Sequence, residues 1–436
     1  MSPVDNDTMS PSSPELLSNF LAGKTILVSG GGIAGLTFAV AIAQLFSEES
    51  SVAARPQVII YERDSYEDRI GREGYTLSLR TDNDPGAVQV LDLLGLYELV
   101  RSVSVNSGGL PEERGSFNLW DPQFRPFLRF AAHPVGPKKL LGMRIRRNAL
   151  QKVLAEAAVA SKAQIHWETA VIGAEPIEDG KVRVTLSTGA TAVGDILLAA
   201  DGSRSKLRSL LRPDHGLNYA GVYLWSGIAK FARHDDIPKP LDRDWGGVLG
   251  GNGVGLFVSP VDDKSALWAM SRPSPVMKEA LRYPVPQKRL DELLEESIKV
   301  AANFAPLVKN LVSATDPTTI MQFNAMDRPP FPHQSLEHGP IIWIGDANHA
   351  VSPFAGNGAN MAIMDAWDLA NAFKKASTVD EAITVYDKVA IPRASRVLKS
   401  SHWAIDALHA TGIKLLLYKV VLRVLGFLTG IARSRD

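Results

Sequence analysis

The stretch Lys24 to Leu36, KTILVSGGGIAGL, decides how the chain is read. Thr25 to Val28 are β-branched or large apolar residues suited to a buried strand, and Gly30, Gly32 and Gly35 follow at the spacing G-x-G-x-x-G. In a strand–turn–helix setting the first glycine allows the tight turn, the second admits a pyrophosphate to the backbone, and the third lets helix and strand pack closely. The helix expected from about Leu36 to Phe46 directs its N-terminal N–H groups at an anion. Glycines at this spacing also occur in turns that bind nothing, so the rest of the chain has to say which dinucleotide, if any, they serve.

The chain has 436 residues, enough for about two or three domains with an ample core. Hydrophobic residues make up 45% and charged residues 22%, and acids and bases balance at 47 each, so no bulk field argues for nucleic acid. Small-molecule chemistry is expected instead. The absence of cysteine removes disulfides, thiolate nucleophiles and cysteine-ligated metals, and fits a cytoplasmic protein. Residues 1–20 are rich in Ser, Pro and Asp, lack a basic n-region and an apolar h-region, and read as a disordered tail.

Gln57 to Tyr61, QVIIY, is a second buried-strand candidate that ends at Glu62-Arg63-Asp64, where an acid accepts hydrogen bonds from a ribose. The long gap from Gly35 is absorbed by a polar insertion, Ser47 to Pro56. Beyond it, RIGREGYTLSLR (Arg69 to Arg80) carries Gly71 and Gly74, and a helix is expected from Pro85 to Leu94. Trp120, Phe124, Phe127 and Phe130 fit a β-rich segment. Met143 to Ala157 has helical apolar spacing, with Asn148 as a plausible cap and Arg147 at the start, placed either to clamp a phosphate or to stay solvated.

Alternating runs at about Gln164–Trp167, Lys181–Ser187 and Ala192–Ala199 read as strands. The last of them enters Asp201-Gly202 and a Ser/Arg/Lys helix start, the pattern of a second phosphate- or ribose-contacting loop. From about Ser209 to Asn324, short β-like pieces and a charged helix (Gln287–Phe304) suggest an inserted domain whose sheet lines a pocket. PIIWIGD, Pro340 to Asp346, then returns to the buried-strand style, and Pro353, Gly356 and Gly358 form a rigid turn before a helix near Asn360. His333 and His338 lie five apart with no acid between them, so no metal is expected, and hydrolase elbows and P-loop lysines are missing.

In the last segment Ile413, Leu416, Leu417, Val420, Val421, Val424, Leu425 and Leu428 share a helical face, with Lys414, Lys419 and Arg423 elsewhere. The charges argue against a transmembrane span. A helix capping the protein core is the expectation, and an interfacial helix resting on a membrane is the alternative.

Three motifs now stand in order: Gly30-x-Gly32-x-x-Gly35; Asp201-Gly202-Ser203-Arg204-Ser205-Lys206-Leu207-Arg208, matching D-G-x-x-S-x-x-R; and Gly345-Asp346 with Pro353-Phe354-Ala355-Gly356-Asn357-Gly358. Together they resemble the group A FAD-dependent monooxygenases, the single-component aromatic hydroxylases, over roughly residues 24–400. Within that family the chain is most similar to the tetracycline-inactivating and salicylate-hydroxylase-like flavoproteins. The resemblance implies an α/β fold: a Rossmann-like FAD-binding domain, three-layered around a parallel sheet, in residues 21–208 and 325–400. An inserted β-rich substrate domain would occupy 209–324 and C-terminal helices 401–436. A long extended FAD has to be gripped at both ends, which a second acid-ended strand and helix start late in the chain would provide.

By the same resemblance Glu62 and Arg63 serve the adenosine ribose end, Gly74 and Arg147 contact FAD, and Asp346 binds its ribityl or pyrophosphate region. Pro353, Gly356, Gly358, Ala359 and Asn360 pass beside the isoalloxazine ring, Gly358 and Ala359 offering N–H groups to its pyrimidine edge. Asp201 and Gly202 serve FAD and a transient nicotinamide together, and His349 is structural. The implied reaction is reduction of FAD by NADPH or NADH, reaction with O2, and transfer of one oxygen atom from a C4a-hydroperoxyflavin to an aromatic or polycyclic natural product. Hydroxylation is favoured over Baeyer–Villiger insertion or epoxidation, and no side chain stands out as catalytic. Trp225, Asn252 and Phe257 are the implied substrate contacts, and Trp225 and Asn252 depart from the tetracycline-acting pattern. A non-oxygenating FAD reductase or oxidase and a non-catalytic FAD module are the competing classes, and a monomer or dimer fits equally.

Overall fold

In the computed structural model, which describes residues 19–47, 55–71, 75–82, 86–105, 115–131, 133–279, 281, 284–333 and 338–428, the glycine-bearing stretch forms a strand, a turn and a helix. The tail expected over residues 1–20 falls almost wholly outside the described residues, as do Gly74 and Pro85.

The chain opens with β1 (Thr25–Ser29), α1 (Ile33–Leu45), β2 (Gln57–Tyr61), α2 (Tyr66–Gly71), β3 (Thr76–Leu79), α3 (Ala87–Leu93) and α4 (Tyr97–Ser102). It continues with β4 (Phe117–Trp120), β5 (Pro126–Phe130), β6 (Met143–Arg146) and α5 (Arg147–Ala160). Next come β7 (Gln164–His166), β8 (Val171–Ile177), β9 (Lys181–Leu186), β10 (Thr191–Gly194), β11 (Ile196–Ala199) and α6 (Lys206–Leu211). A β-rich section follows: β12 (Asn218–Lys230), β13 (Trp245–Leu249), β14 (Gly255–Asp262), β15 (Ser265–Pro273), α7 (Gln287–Ala301), α8 (Pro306–Ser313) and β16 (Met321–Asp327). The chain ends with β17 (Ile341–Trp343), α9 (Asp346–His349), α10 (Gly358–Lys375), α11 (Val379–Leu408) and α12 (Gly412–Leu428).

Five parallel strands in the order β17-β11-β1-β2-β7 form the central sheet. A parallel sheet is covered on both faces, which is why its strands are unbroken apolar runs. Ile26, Val28, Ile60 and Leu198 pack under α1, α5 and α10, while Leu27, Leu197 and Trp343 face Val171, Val182 and Val184 of the antiparallel sheet β10-β9-β8. The three layers are therefore helices, parallel sheet and a small antiparallel sheet. Helix α1 is buried from Ala34 to Ile42 with no polar face, because α10 lies against the side that would otherwise meet water.

A second sheet has seven strands in the order β16-β12-β15-β14-β13-β4-β5. It draws β4 and β5 from before residue 209 and runs to Asp327, so it extends beyond the 209–324 stretch that suggested it. Gly246 makes the junction with β4: its φ is +152°, and a Cβ there would lie 1.8 Å from the Asn118 carbonyl oxygen. One face of this sheet packs on α7 and α8 through Trp225, Val248, Leu256, Trp268 and Met270.

Three local expectations are corrected. The run 192–199 divides into β10 and β11, because Gly194 crosses over Leu27 and the Asp195 carboxylate turns back to the Thr25 N–H at 2.8 Å and to Lys24 at 3.0 Å. Met143 to Arg146 pairs with β3 as a strand, and the helix begins at Arg147, where the sequence places its start. Arg146 is its N-cap, and the Asn148 amide instead donates to the Ile70 carbonyl. Finally, α12 does not bury the face that its periodicity defines: Leu422 and the partly buried Leu415 pack against Leu128 and Leu249, while Ile413 and Leu417 are 79% and 62% exposed. Helical spacing shows which residues share a face but not what covers it. Among the described residues no helix is long and apolar enough to cross a membrane.

Candidate functional site

Every motif singled out in the sequence converges on the C-terminal edge of the parallel sheet, around β1, where the strand order reverses direction. In open α/β sheets that crevice is where ligands bind. The β1–α1 turn requires glycine: Gly30 has φ +109°, and a Cβ on it would lie 2.5 Å from the Ala200 carbonyl oxygen at the end of β11. A Cβ on Gly35 would lie 2.2 Å from the Gly30 carbonyl. Gly32 is the N-cap of α1, and no side chain caps that helix, which leaves first-turn N–H groups for a ligand.

Glu62 is buried at the end of β2. Its carboxylate accepts from Gly31 N–H at 2.8 Å and from Asp64 N–H at 3.0 Å, bracing the glycine turn. Arg63 beside it is exposed and turned toward Asp64. Arg69, which sequence reasoning passed over, has its guanidinium 3.1 Å from Asp64 and 3.8 Å from Glu62, and would lie 3.4 Å from a Cβ on Gly32. A cation is thus held at the mouth of the glycine loop.

Asp201 follows β11. One carboxylate oxygen caps α6 through Lys206 N–H at 2.8 Å, while the other, Oδ1, is buried without a hydrogen-bond partner. Burial raises its carboxyl above the usual range, an effect that hydrogen bonds from Ser205, Leu207 and Lys206 only partly offset. Gly202 has φ +81°. Arg208, the last residue of the D-G-x-x-S-x-x-R run, donates to the carbonyls of Ser203, Asp346 and Ala347, the last at 2.8 Å. It therefore fastens the Asp201 loop to the turn after β17.

That turn contains Gly345, at φ +56°, whose N–H is held by the buried Asp365 carboxylate at 2.9 Å. Asp365 also meets His349 at 2.7 Å and Arg393 at 2.8 Å, which ties His349 into the buried cluster behind the turn. Burial raises the Asp346 carboxyl, opposed by His349, Arg147 and Arg208, which places Arg147 within electrostatic reach of it. The Asp346 carboxylate would lie 3.9 Å from a Cβ on Gly358, at the start of α10. Helix α10 also lacks a side-chain cap, so Gly358 and Ala359 open a second helix N-terminus toward the same crevice. Pro353 and Gly356 are exposed on the loop before it. Asn360 differs from expectation: its amide is spent on β3, accepting from Arg80 N–H at 2.9 Å and donating to the Ser78 carbonyl at 2.8 Å.

The seven-stranded sheet meets this crevice with its other face. Residues directly opposite across strands share a face, so Ser226, Ala269, Phe257 and Gly247 form one cross-strand row. Three of the four are small. On one side of the row Leu224, Ser271 and Gly255 are covered by α11, where His409 accepts from the Ser271 hydroxyl at 2.9 Å and Leu408 lies against Gly255. Phe354 of the Pro353–Gly358 loop packs on His409 and joins Val222, Leu224 and Ile405 in one apolar cluster. A cleft of about 340 Å³ lined by Val222, Pro273, Ile405, His409 and Lys414 opens beside it.

Of the three expected substrate contacts, Phe257 lies in the inner row. Trp225 has the opposite parity: it shares a row with Met270, Leu256 and Val248, and its Nε1 donates to Ser297 of α7 at 3.0 Å. Asn252 sits at an exposed hairpin tip, accepting from Val254 N–H at 3.1 Å and bridging to Thr411. Among the described residues no cluster of metal-ligating side chains occurs.

A family model described as "FAD binding domain" matches residues 84–401. Monooxygenase cfoF of Aspergillus candidus is 34% identical over 404 residues, 90% of this chain and 93% of that protein. Klebsiella pneumoniae HpxO, solved with FAD and uric acid, superposes with a TM-score of 0.73 at 23% identity, over 93% of this chain and 94% of that one. Tetracycline destructase Tet(51) does so with a TM-score of 0.61 at 16% identity, over 93% and 97%. The residues present fit FAD: two uncapped helix N-termini, an orphaned Asp201 Oδ1 and glycines whose missing side chains keep the crevice open all face the same edge.

Proposed function

The chain belongs to the FAD binding domain family and is an FAD-dependent monooxygenase, and from that premise we propose how its two sheets divide the work. The parallel sheet with its helices is the cofactor part. Gly30, Gly32, Arg69 and the α1 N-terminus would hold the pyrophosphate, Glu62 the adenosine ribose, and Asp201, Asp346, Gly358 and Ala359 the flavin half. Bound FAD, reduced by NADPH or NADH, supplies the electron transfer and oxygen activation that no side chain here can perform.

The seven-stranded sheet is the substrate part. The single observation that carries this reading is the row Phe257–Ala269–Ser226, small-sided apart from Phe257, bordered by the Phe354 loop and closed at its Gly247 end by Leu408 and Leu119. The substrate class it fits is an aromatic or polycyclic natural product, and hydroxylation is the preferred outcome. Leu224, Phe257, Phe354 and Ile405 make the walls apolar and keep water from the reacting centre. Substrate would enter by the cleft beside Ile405 and His409.

Coupling tests the reading. Coenzyme oxidation is measured against product and peroxide under 18O2 over a panel of aromatic natural products. One labelled oxygen per product supports it; peroxide alone with every compound defeats it.

The uncovered face of α12 is proposed as a peripheral contact with an anionic membrane. Its flanking Lys414, Lys419 and Arg423 suit lipid headgroups, and Lys414 lines the mouth of the cleft, so an apolar substrate could pass directly from lipid. Co-sedimentation with phosphatidylserine vesicles that survives Ile413→Asp with Leu417→Asp would overturn that contact.

A further inference from the structure

Arg144 is a buried cation that the cofactor cradle does not use. It projects from β6 at only 6% exposure into the seam between the β3–β6 ribbon and the inner face of the seven-stranded sheet. Nη1 donates to Ser78 Oγ at 2.8 Å, and Nη2 to Ser259 Oγ at 2.7 Å, to the Thr76 carbonyl at 3.2 Å and to the Thr76 hydroxyl. All of these partners are neutral. Nε is buried with no partner, and no carboxylate among the described residues pairs with the guanidinium.

The buried Arg393 lies between Asp365 and Asp368, and the partly buried Arg69 between Glu62 and Asp64, whereas Arg208 and Arg328, like Arg144, bond only to neutral acceptors, and those two lie outside the substrate seam. Burying a charge without a counterion is costly, and strapping a ribbon to a sheet needs only a neutral amide or hydroxyl. The position of Arg144 supplies a reason for the charge. Its guanidinium lies 5.6 Å from the Trp245 ring centroid and 5.9 Å from that of Phe257, so it borders the small-residue row. It is joined through Ser78 to the strand that Asn360 clamps to the start of α10.

We propose that Arg144 is the anion-recognition point of the substrate site, pairing with an acidic oxygen, a carboxylate, phenolate or enolate, carried by the aromatic substrate. The proposal rests on the substrate-site reading above and narrows it to acidic ligands. In a dry seam a charge-assisted hydrogen bond to such an oxygen gains far more than in water. Burial lowers the guanidinium to about 9, so it is still charged at neutral pH. The groups facing it from β3, β13 and β14 are Thr76, Ser78, Trp245, Phe257 and Ser259, none of which titrates in that range.

The experiment uses FAD-loaded enzyme and a matched probe pair, 2-naphthoate and 2-naphthamide, with dissociation constants read from the perturbed flavin absorbance. Wild type should bind the carboxylate about 10- to 100-fold more tightly than the amide. Arg144→Met should equalise the two with FAD content and amide affinity unchanged, and Arg144→Lys should recover part of the preference. If the Met variant does not fold, Arg144→Gln, which can keep neutral hydrogen bonds to Ser78 and Ser259, decides the matter by the same comparison. No carboxylate preference in wild type, or a preference that survives Arg144→Met, overturns the proposal. Binding of an inert probe is read without turnover, so failure here is distinct from failure of oxygen transfer, which shows as peroxide without product.

Discussion

At the edge of the parallel sheet nearly every polar group is tied to another loop: Glu62 to Gly31, Arg208 to Asp346 and Ala347, Asp365 to Gly345. On the inner face of the seven-stranded sheet, the row Gly247, Phe257, Ala269, Ser226 offers little but shape, with one uncompensated cation at its border. The first region is built to hold one invariant ligand in one pose. The second presents mostly small side chains and few fixed polar groups. Changes at the edge should therefore cost cofactor or stability, and changes on the inner face should cost substrate selectivity alone.

The largest effect is expected from Gly30→Val. Its Cβ would overlap the Ala200 carbonyl, and φ +109° excludes a branched residue. The purified variant should carry no FAD, read from the ratio of absorbance at the flavin band to that of protein; full loading would break the comparison. Next is Asp365→Ala, which strands His349 and Arg393 and should cost roughly 3–5 kcal/mol in denaturant unfolding. Burial alone would raise the Asp365 carboxyl, but His349 and Arg393 outweigh it and hold it at about 2, below its ordinary 3.8. A depressed carboxyl stabilises above its unfolded value, so this contribution is lost as pH falls from 3.8 through about 2. His349 is raised from 6.5, burial opposing but Asp365 prevailing, so its contribution is present below 6.5 and declines at higher pH. His349→Gln should flatten that alkaline decline in melting temperature.

Smaller effects sharpen the contrast between the two faces of one sheet. Ala269→Leu fills the inner row and should raise KM about 10-fold or more with FAD content unchanged. Trp225→Phe, one position over and on the opposite face, removes the hydrogen bond to Ser297 and part of a buried ring packed on Tyr223, and should cost roughly 1–3 kcal/mol of stability with KM unmoved. The reverse pattern would mean that the substrate lies on the α7 side.

The same contrast explains what could be read from sequence. Gly30, Gly35 and Gly345 are legible because backbone crowding or positive φ leaves no other residue, and Asp201 and Asp346 follow strands whose unbroken apolar character marks them as buried. The parity of β12 was not legible: Val222 to Ala229 is buried on both faces, so no alternation tells Leu224 from Trp225. Arg144 escaped notice because its meaning lies in the absence of an acid from strands more than a hundred residues away. Asn360 shows a third case, a residue expected beside the cofactor whose amide is committed to β3.

The central claim is that FAD is clasped at the sheet edge with its reactive ring over the small-residue row. A crystal structure of the FAD complex measures this directly. The account predicts the isoalloxazine between the Phe354 loop and the row of Phe257, Ala269 and Ser226, with Gly358 and Ala359 N–H groups at its pyrimidine edge; a ring lying elsewhere, or an adenosine unit away from Glu62, would contradict it.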